Sequence, residues 1–133
     1  MTASSVVLDF LRLLEEKRAD EAVTMLAEDV EWRNTGYPTL RGPRAAQALQ
    51  AMERRGVTFS VDMHHIAATG DVVLTDRTDH LGMGRWNASF WVCGTFEIRD
   101  GKIAVWHDHF STSNVLVGSV KGLLAMLRGP DAP

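Results

Sequence analysis

Cysteine, basic charge and long apolar runs are all scarce in this 133-residue chain. The single cysteine, Cys93, excludes an internal disulfide, and its apolar neighbours indicate buried packing. The 14 Lys and Arg residues against 17 Asp and Glu give a net charge of −3, so no cationic excess is present to neutralise nucleic-acid phosphates. No apolar run approaches the ~20 residues that span a bilayer, and no secretory signal is visible. We therefore expect a cytoplasmic protein with neither a nucleic-acid nor a membrane partner.

Common catalytic and cofactor-binding motifs are missing as well. The chain has no Gly-x-Ser-x-Gly and no phosphate-binding loop, so neither a serine-hydrolase elbow nor a nucleotide site is indicated. His107 and His109 have the spacing of two metal ligands on a strand, but no further His, Cys or Glu completes a set. The sequence therefore predicts neither a metal nor any other cofactor.

Hydrophobic periodicity divides the chain into helices followed by strands. Helical spacing predicts a first helix from Ser4 or Ser5, a short second helix capped by Asp20 and a third that begins at Pro43. Strands are predicted at 30–33, 59–67, 72–81, 85–98 and 103–112, followed by a helix at 115–127. This order predicts an α+β fold whose curved, mixed or antiparallel sheet wraps around the N-terminal helices as a cone with a deep pocket. We expect one domain over 1–128 and a frayed tail at 129–133.

Two predicted strands carry acidic residues on faces that are otherwise apolar. Arg77 and Asp79 share one face of a strand because side chains alternate, and they neighbour apolar residues there. Asp108 lies between Trp106 and Phe110 on one face of the last strand. A buried carboxylate needs a donor, and one planar guanidinium can bind two carboxylates at once. Arg77 is therefore the candidate bridge between Asp79 and Asp108, although a surface ion pair is the simpler interpretation of the first strand alone.

Strand register decides whether the two aspartates meet. The tight turn at Asp100-Gly101, if no bulge intervenes, pairs Cys93 with Asp108. A three-residue loop between the two preceding strands pairs Asp79 with Asn87 and places it on the same face, whereas a two-residue loop would turn it away. We therefore predict the three-residue loop.

Three segments resemble the limonene-1,2-epoxide hydrolase family of the NTF2-like (SnoaL-like) superfamily. Residues 72–79, VVLTDRTD, are similar to the family's strand with an arginine and an acid aspartate. Residues 101–110, GKIAVWHDHF, are similar to its strand with the base aspartate. Residues 29–34, DVEWRN, followed by Arg41-Gly42, are similar to the segment with its water-binding asparagine. The resemblance implies an NTF2-like, cystatin-like fold, a homodimer and a cofactor-independent epoxide hydrolase.

The resemblance also implies a role for each site residue. Asp79 would protonate the epoxide oxygen, Asp108 would take a proton from water, and Arg77 would hold both carboxylates. Asn34 would position the water. Where the family usually has a tyrosine that also binds this water, the chain has Trp32, whose indole nitrogen donates but does not accept.

The predicted pocket wall is apolar and aromatic, which favours a lipophilic epoxide as substrate, with water as the second reactant. Its predicted members are Met25, Leu74, Trp91, Trp106 and Phe110, together with Trp32. Alternatives are an epoxide-opening cyclase, a ketosteroid-type isomerase or a non-catalytic binding protein. An isomerase expects an oxyanion donor such as tyrosine, and the only tyrosine, Tyr37, is predicted in a loop.

Overall fold

The structure is a computed structural model that describes residues 2–110, 118–124 and 127. The helices are α1 (Ala3–Glu15), α2 (Ala19–Ala22), a 3₁₀ turn (Val23–Met25) and α3 (Pro43–Arg54). The strands are β1 (Leu26–Asn34), β2 (Leu40–Arg41), β3 (Val57–Thr69), β4 (Val72–Met83), β5 (Trp86–Arg99) and β6 (Lys102–His109). They form one curved, unclosed sheet in the order β2-β1-β6-β5-β4-β3. The pairing of β1 with β6 is parallel and the others are antiparallel. The predicted α+β fold is confirmed.

Local chemistry sets where the helices begin. Thr2, rather than Ser4 or Ser5, caps α1, because its hydroxyl accepts the backbone N–H of Ser5 at 3.1 Å. Asp20 lies inside α2 and does not cap it. Pro43 opens α3 as predicted, since a proline ring is already set for the first helical turn.

The apolar face of α1 packs into the concave side of the sheet. Phe10 is fully buried and meets the ring of Trp106 edge-on, with centroids 5.1 Å apart. The rings of Phe96 and Trp106 are stacked beneath it at 5.9 Å. These contacts leave the remaining concave surface of the sheet to line a cavity.

Both predicted strand registers next to the candidate aspartates are wrong, that of Asp108 by one residue and that of Asp79 by three. The turn at Asp100-Gly101 has two residues with positive φ, as predicted, but a bulge in β6 then places Asp108 opposite Gly94. The loop between β4 and β5 has two residues rather than three, so Asp79 lies opposite Phe90. Asp108 is thus displaced by one position along β5 and Asp79 by three, from Asn87 to Phe90. Both displacements are odd, so each pairs its aspartate with the opposite face of β5 from the one predicted. The errors cancel, and both aspartates lie on the concave face.

A second bulge, at His64 in β3, changes which side chains face outward. His64 contacts Thr78 at 2.8 Å and His65 contacts Asp76 at 2.9 Å, both across to β4. Strict alternation would turn these two histidines to opposite faces, but the bulge lets both reach side chains on one face of β4. Ile66 takes the inward position that strict alternation would have given to His65.

Residues 118–124 are helical, within the helix predicted for 115–127, and the rest of that range is described only at residue 127. The predicted tail at 129–133 lies outside the described residues. Within the described part of the chain, no helix is both long and apolar enough to cross a membrane.

Candidate active site

Arg77 is fully buried and joins both candidate aspartates. Its Nε and Nη2 donate to the two carboxylate oxygens of Asp79 at 2.8 and 3.1 Å. Nη2 also donates to Oδ2 of Asp108 at 2.7 Å. Burial alone would lower the pKa of Arg77, but Asp108 and Asp79 raise it above its ordinary value, so the guanidinium is charged. Asp79 and Asp108 are each only 5% exposed, which excludes a surface ion pair.

Two residues that the sequence did not single out complete this network. Thr75 accepts a hydrogen bond from Nη1 of Arg77 at 2.9 Å, on the same face of β4. Gly94 lies opposite Asp108, and a Cβ there would collide with Nη1 of Arg77 while lying 2.8 Å from Oδ1 of Asp108. A glycine in the interior of a strand is a recognised sign of such a close approach.

Asp108 uses both carboxylate oxygens as acceptors. Oδ2 accepts from Arg77, and Oδ1 accepts the indole N–H of Trp106 at 2.9 Å. Burial, and secondarily the charge of Asp79, raise the pKa of Asp108, although Arg77 opposes the change. A carboxylate with a raised pKa is a stronger base than a solvated aspartate.

Trp32 and Asn34 lie beside Asp108 because β1 runs parallel to β6. In this register Trp32 is opposite Trp106 and Asn34 is opposite Asp108. The two indoles stack with centroids 4.5 Å apart and planes inclined by 9°. The N–H of Trp32 is buried and has no hydrogen-bond partner among the residues that the structure describes. Because an unmet buried donor is costly, this N–H is suited to a bound water or ligand.

These side chains border a cavity of about 590 Å³ with a largely apolar wall. Asp79, Asp108, Asn34 and Trp32 all line it. Most of the other lining residues are aliphatic or aromatic, among them Leu49, Phe59, Leu81, Trp86, Phe90, Val92, Trp106 and Phe110. The arrangement places two carboxylates, one buried cation and an unused donor beside space that fits an apolar molecule. The site can therefore donate a proton to such a molecule and accept a proton from a group next to that molecule.

The chain matches one known protein family over most of its length. Residues 1–121 match the limonene-1,2-epoxide hydrolase catalytic domain. The chain belongs to the limonene-1,2-epoxide hydrolase family. It is 37% identical to epoxide hydrolase EphG of Mycobacterium tuberculosis over 118 residues, which cover 89% of this chain and 79% of EphG.

Solved structures agree with membership of the limonene-1,2-epoxide hydrolase family. A structure of an epoxide hydrolase from M. tuberculosis, described as similar to that family, superposes with a TM-score of 0.90 at 38% identity over 96% of both chains. SalBIII, an epoxide hydrolase/cyclase-like enzyme with a role in pyran ring formation in salinomycin, superposes at 0.72 with 19% identity, covering 84% of this chain and 92% of that one. At 19% identity, the similarity to SalBIII shows a shared fold and nothing more.

Three of the predicted wall residues lie elsewhere. Leu74 and Trp91 are 54% and 48% exposed on the outer face of the sheet, because strand alternation and the observed register turn them away from Asp79. Met25 packs against the hydrophobic core and does not border the cavity. Conversely, Tyr37 does line the cavity although it lies in a loop. The predicted polar residues therefore lie together, whereas half of the six predicted wall residues lie outside the cavity.

The outer face of β6 carries His107 and His109, because side chains alternate along the strand and Asp108 faces inward. Their rings are 3.9 Å apart, and burial, with the charges of His109 and Arg33, lowers the pKa of His107. Across the described residues, no three His, Cys, Asp or Glu side chains cluster in a way that could hold a metal ion.

Proposed function

We propose that this protein adds water to a lipophilic epoxide in one acid–base step and releases a vicinal diol. One observation carries the proposal: Arg77 binds two buried carboxylates at the edge of an apolar cavity. A guanidinium neutralises only one carboxylate, so two ionised aspartates would leave a net buried charge of −1. Holding one shared proton makes the group neutral, which favours a pair that contains both an acid and a base.

The positions of the neighbours favour particular roles. Asn34 and Trp32 flank Asp108 and not Asp79, so the attacking water belongs beside Asp108. In the proposed step the water oxygen bonds to an epoxide carbon while Asp108 takes one water proton. The carbon–oxygen bond of the ring breaks, and Asp79 gives its proton to the leaving oxygen. The pair then returns a proton from Asp108 to Asp79 before the next turnover. Positioned acids and bases each accelerate such steps about 10²–10⁴-fold.

Trp32 fixes the orientation of this water in the proposed site. Its N–H can only donate, so it occupies one lone pair of the water. The two water protons are then directed to Asp108 and to the amide oxygen of Asn34. The second lone pair is left to attack the epoxide.

We expect Trp32→Phe to lower kcat/KM about fivefold, since it removes one neutral hydrogen bond but keeps an aromatic ring against Trp106. Trp32→Tyr should keep most of the activity because a phenol can also donate. Steady-state kinetics of both variants, alongside their thermal unfolding, measure this. If the Phe and Tyr variants were as stable as the wild type and lost kcat/KM to the same extent, the N–H of Trp32 would not be what holds the water.

The direct test is incubation of the protein with lipophilic epoxides in ¹⁸O-labelled water, without added metal or nucleotide. We expect a diol that carries ¹⁸O in the first turnover, because no covalent enzyme intermediate forms. An unlabelled first-turnover diol would mean that an enzyme carboxylate attacks first. Cyclic ether products from hydroxylated epoxides would favour a cyclase, and recovery of every epoxide unchanged would contradict the proposed hydrolysis.

We further propose that the protein forms a homodimer through the outer face of its sheet. Leu74, Trp91 and Val72 expose large apolar surfaces there, which a second copy would cover. Sedimentation equilibrium would contradict this if the protein remained a monomer at micromolar concentration. The cytoplasmic location stays a prediction.

A further inference from the structure

We propose that the cavity selects lipophilic epoxides that carry a carboxylate at the far end, and that Lys17 binds this carboxylate. The inference rests on the proposed hydrolysis and names its substrate class. Lys17 is the one cationic residue among the described residues that line the cavity. Arg77, the other cation of the site, is fully buried behind the carboxylates.

Lys17 occupies a backbone position at which glycine is normally favoured. It follows the end of α1 with φ +60°, its N–H bonds to Leu14 O at 3.2 Å, and the N–H of Arg18 bonds to Leu13 O at 2.9 Å. This is the Schellman arrangement, in which the left-handed residue is usually glycine. A lysine here is conformationally unfavourable, and sparsely populated backbone conformations of this kind cluster at functional sites.

The carboxylates around Lys17 have other donors. Glu15 accepts a backbone N–H of β3 at 2.6 Å, and Glu16 pairs with arginines on both sides of it. Glu53, which also lines the cavity, accepts the N–H of the first residue of α2 at 3.1 Å. Lys17 takes part in none of the ion pairs found within 2–110, 118–124 and 127. Its charge is therefore available to a ligand.

The charges along the cavity give a bound molecule one orientation. An anionic group beside the buried Asp79 and Asp108 would lose its water and find no free cation among the described residues, since Arg77 is already bound to both. Lys17, by contrast, is exposed and attracts an anion. The rest of the cavity wall is largely apolar and includes Leu14, Phe59 and Leu81. An amphiphilic acid therefore enters with its neutral epoxide first and keeps its carboxylate at Lys17.

Binding can be tested without turnover by comparing decanoic acid with decan-1-ol. Three tryptophans line the cavity, so intrinsic fluorescence reports occupancy. We expect the acid to bind about five- to tenfold more tightly than the alcohol at low ionic strength, as for a partly exposed ion pair. The preference should shrink as salt is added. Lys17→Gly should abolish the preference for the acid over the alcohol. This variant should unfold at or above the wild-type temperature, because glycine suits φ +60°.

Lys17→Arg keeps the charge and should keep the preference. Arg44→Gln is the matched control, since it removes an exposed cation that does not line the cavity. An acid-to-alcohol ratio near one in the wild type, or an unchanged ratio in Lys17→Gly, would overturn the inference. A clear Lys17-dependent ratio in a protein that opens no epoxide would instead uphold the carboxylate site and contradict the proposed hydrolysis. With turnover established, the ratio of kcat/KM for a long-chain epoxy acid to that for its methyl ester should fall in Lys17→Gly by a similar factor.

Discussion

Asp108→Asn is expected to lower kcat for epoxide opening about 10²–10⁴-fold while the fold survives. An amide cannot take the proton that the attacking water must lose. The variant also has one acceptor oxygen where Asp108 uses two, for Arg77 and for Trp106, so one of these donors loses its partner. We expect a loss of about 1–3 kcal/mol of unfolding free energy from that donor, measurable by denaturant unfolding.

Asp76→Asn is a matched control for this substitution. Asp76 also accepts an indole N–H, from Trp91 at 2.6 Å, but lies on the outer face of the same sheet. It should lose a comparable hydrogen bond and keep its activity. A folded Asp108→Asn protein within tenfold of the wild-type rate would remove Asp108 from the proposed chemistry.

The pH profile tests the same role in the unaltered protein. Protonation of Asp108 at low pH should stop it from acting as a base. Because burial raises the pKa of Asp108, kcat/KM should begin to fall at a higher pH than it would with an aspartate of ordinary pKa. The effect of Asp108 on the free energy of unfolding has the opposite pH dependence from that of a carboxylate whose pKa is lowered by folding. The native state keeps a proton that the unfolded chain releases, so the contribution of Asp108 to stability decreases as the pH rises through that interval. Asp108→Asn should remove this dependence.

Alternation was the most informative property of the sequence. It placed Arg77 and Asp79 on one face of β4, and Trp106, Asp108 and Phe110 together on one side of the final segment, as the structure has them. Alternation survives because it depends only on local strand geometry. The helix that begins at Pro43 was predictable for a similarly local reason, since one residue determines it.

Register was not predictable, because a bulge leaves little trace in the sequence. The extra residue in β6 lies among Ile103, Ala104 and Val105, where both Ile103 and Ala104 are buried. Nothing about these small and branched apolar residues marks an interruption. The meeting of Asp79 with Asp108 was inferred correctly because two errors cancelled, and a single error would have separated them.

The apolar wall was predicted less well than the polar site for a physical reason. Buried charges need specific partners, which limits where they can lie, whereas apolar residues are interchangeable between core, cavity and outer face. Trp91 illustrates this, since its indole finds Asp76 on the outer face rather than the cavity. Lys17 gave no signal in the sequence, because its left-handed backbone is visible only in the structure.

Gly94→Ala should be the most disruptive single-methyl change near the site. The added Cβ would collide with Nη1 of Arg77, and would lie 2.7 Å from Thr75 Oγ1 and 2.8 Å from Asp108 Oδ1. All three atoms belong to one buried network, so none can move without breaking a charged hydrogen bond. We expect a loss of about 2–5 kcal/mol of unfolding free energy and at least a hundredfold loss of kcat/KM.

Gly82→Ala separates this effect from a general intolerance of strand glycines. Gly82 is also buried in β4 without a positive φ, and a Cβ there would lie 2.6 Å from Thr58 Oγ1 and 2.7 Å from Asn87 Oδ1. Both oxygens are at the ends of exposed side chains that can rotate away. The change should therefore lower the free energy of unfolding by less than about 1 kcal/mol. Denaturant unfolding and epoxide turnover of both variants distinguish the cases. If Gly94→Ala behaved like Gly82→Ala, the Arg77 network would be looser than its hydrogen bonds imply, and its rigid hold on the two aspartates could not account for catalysis.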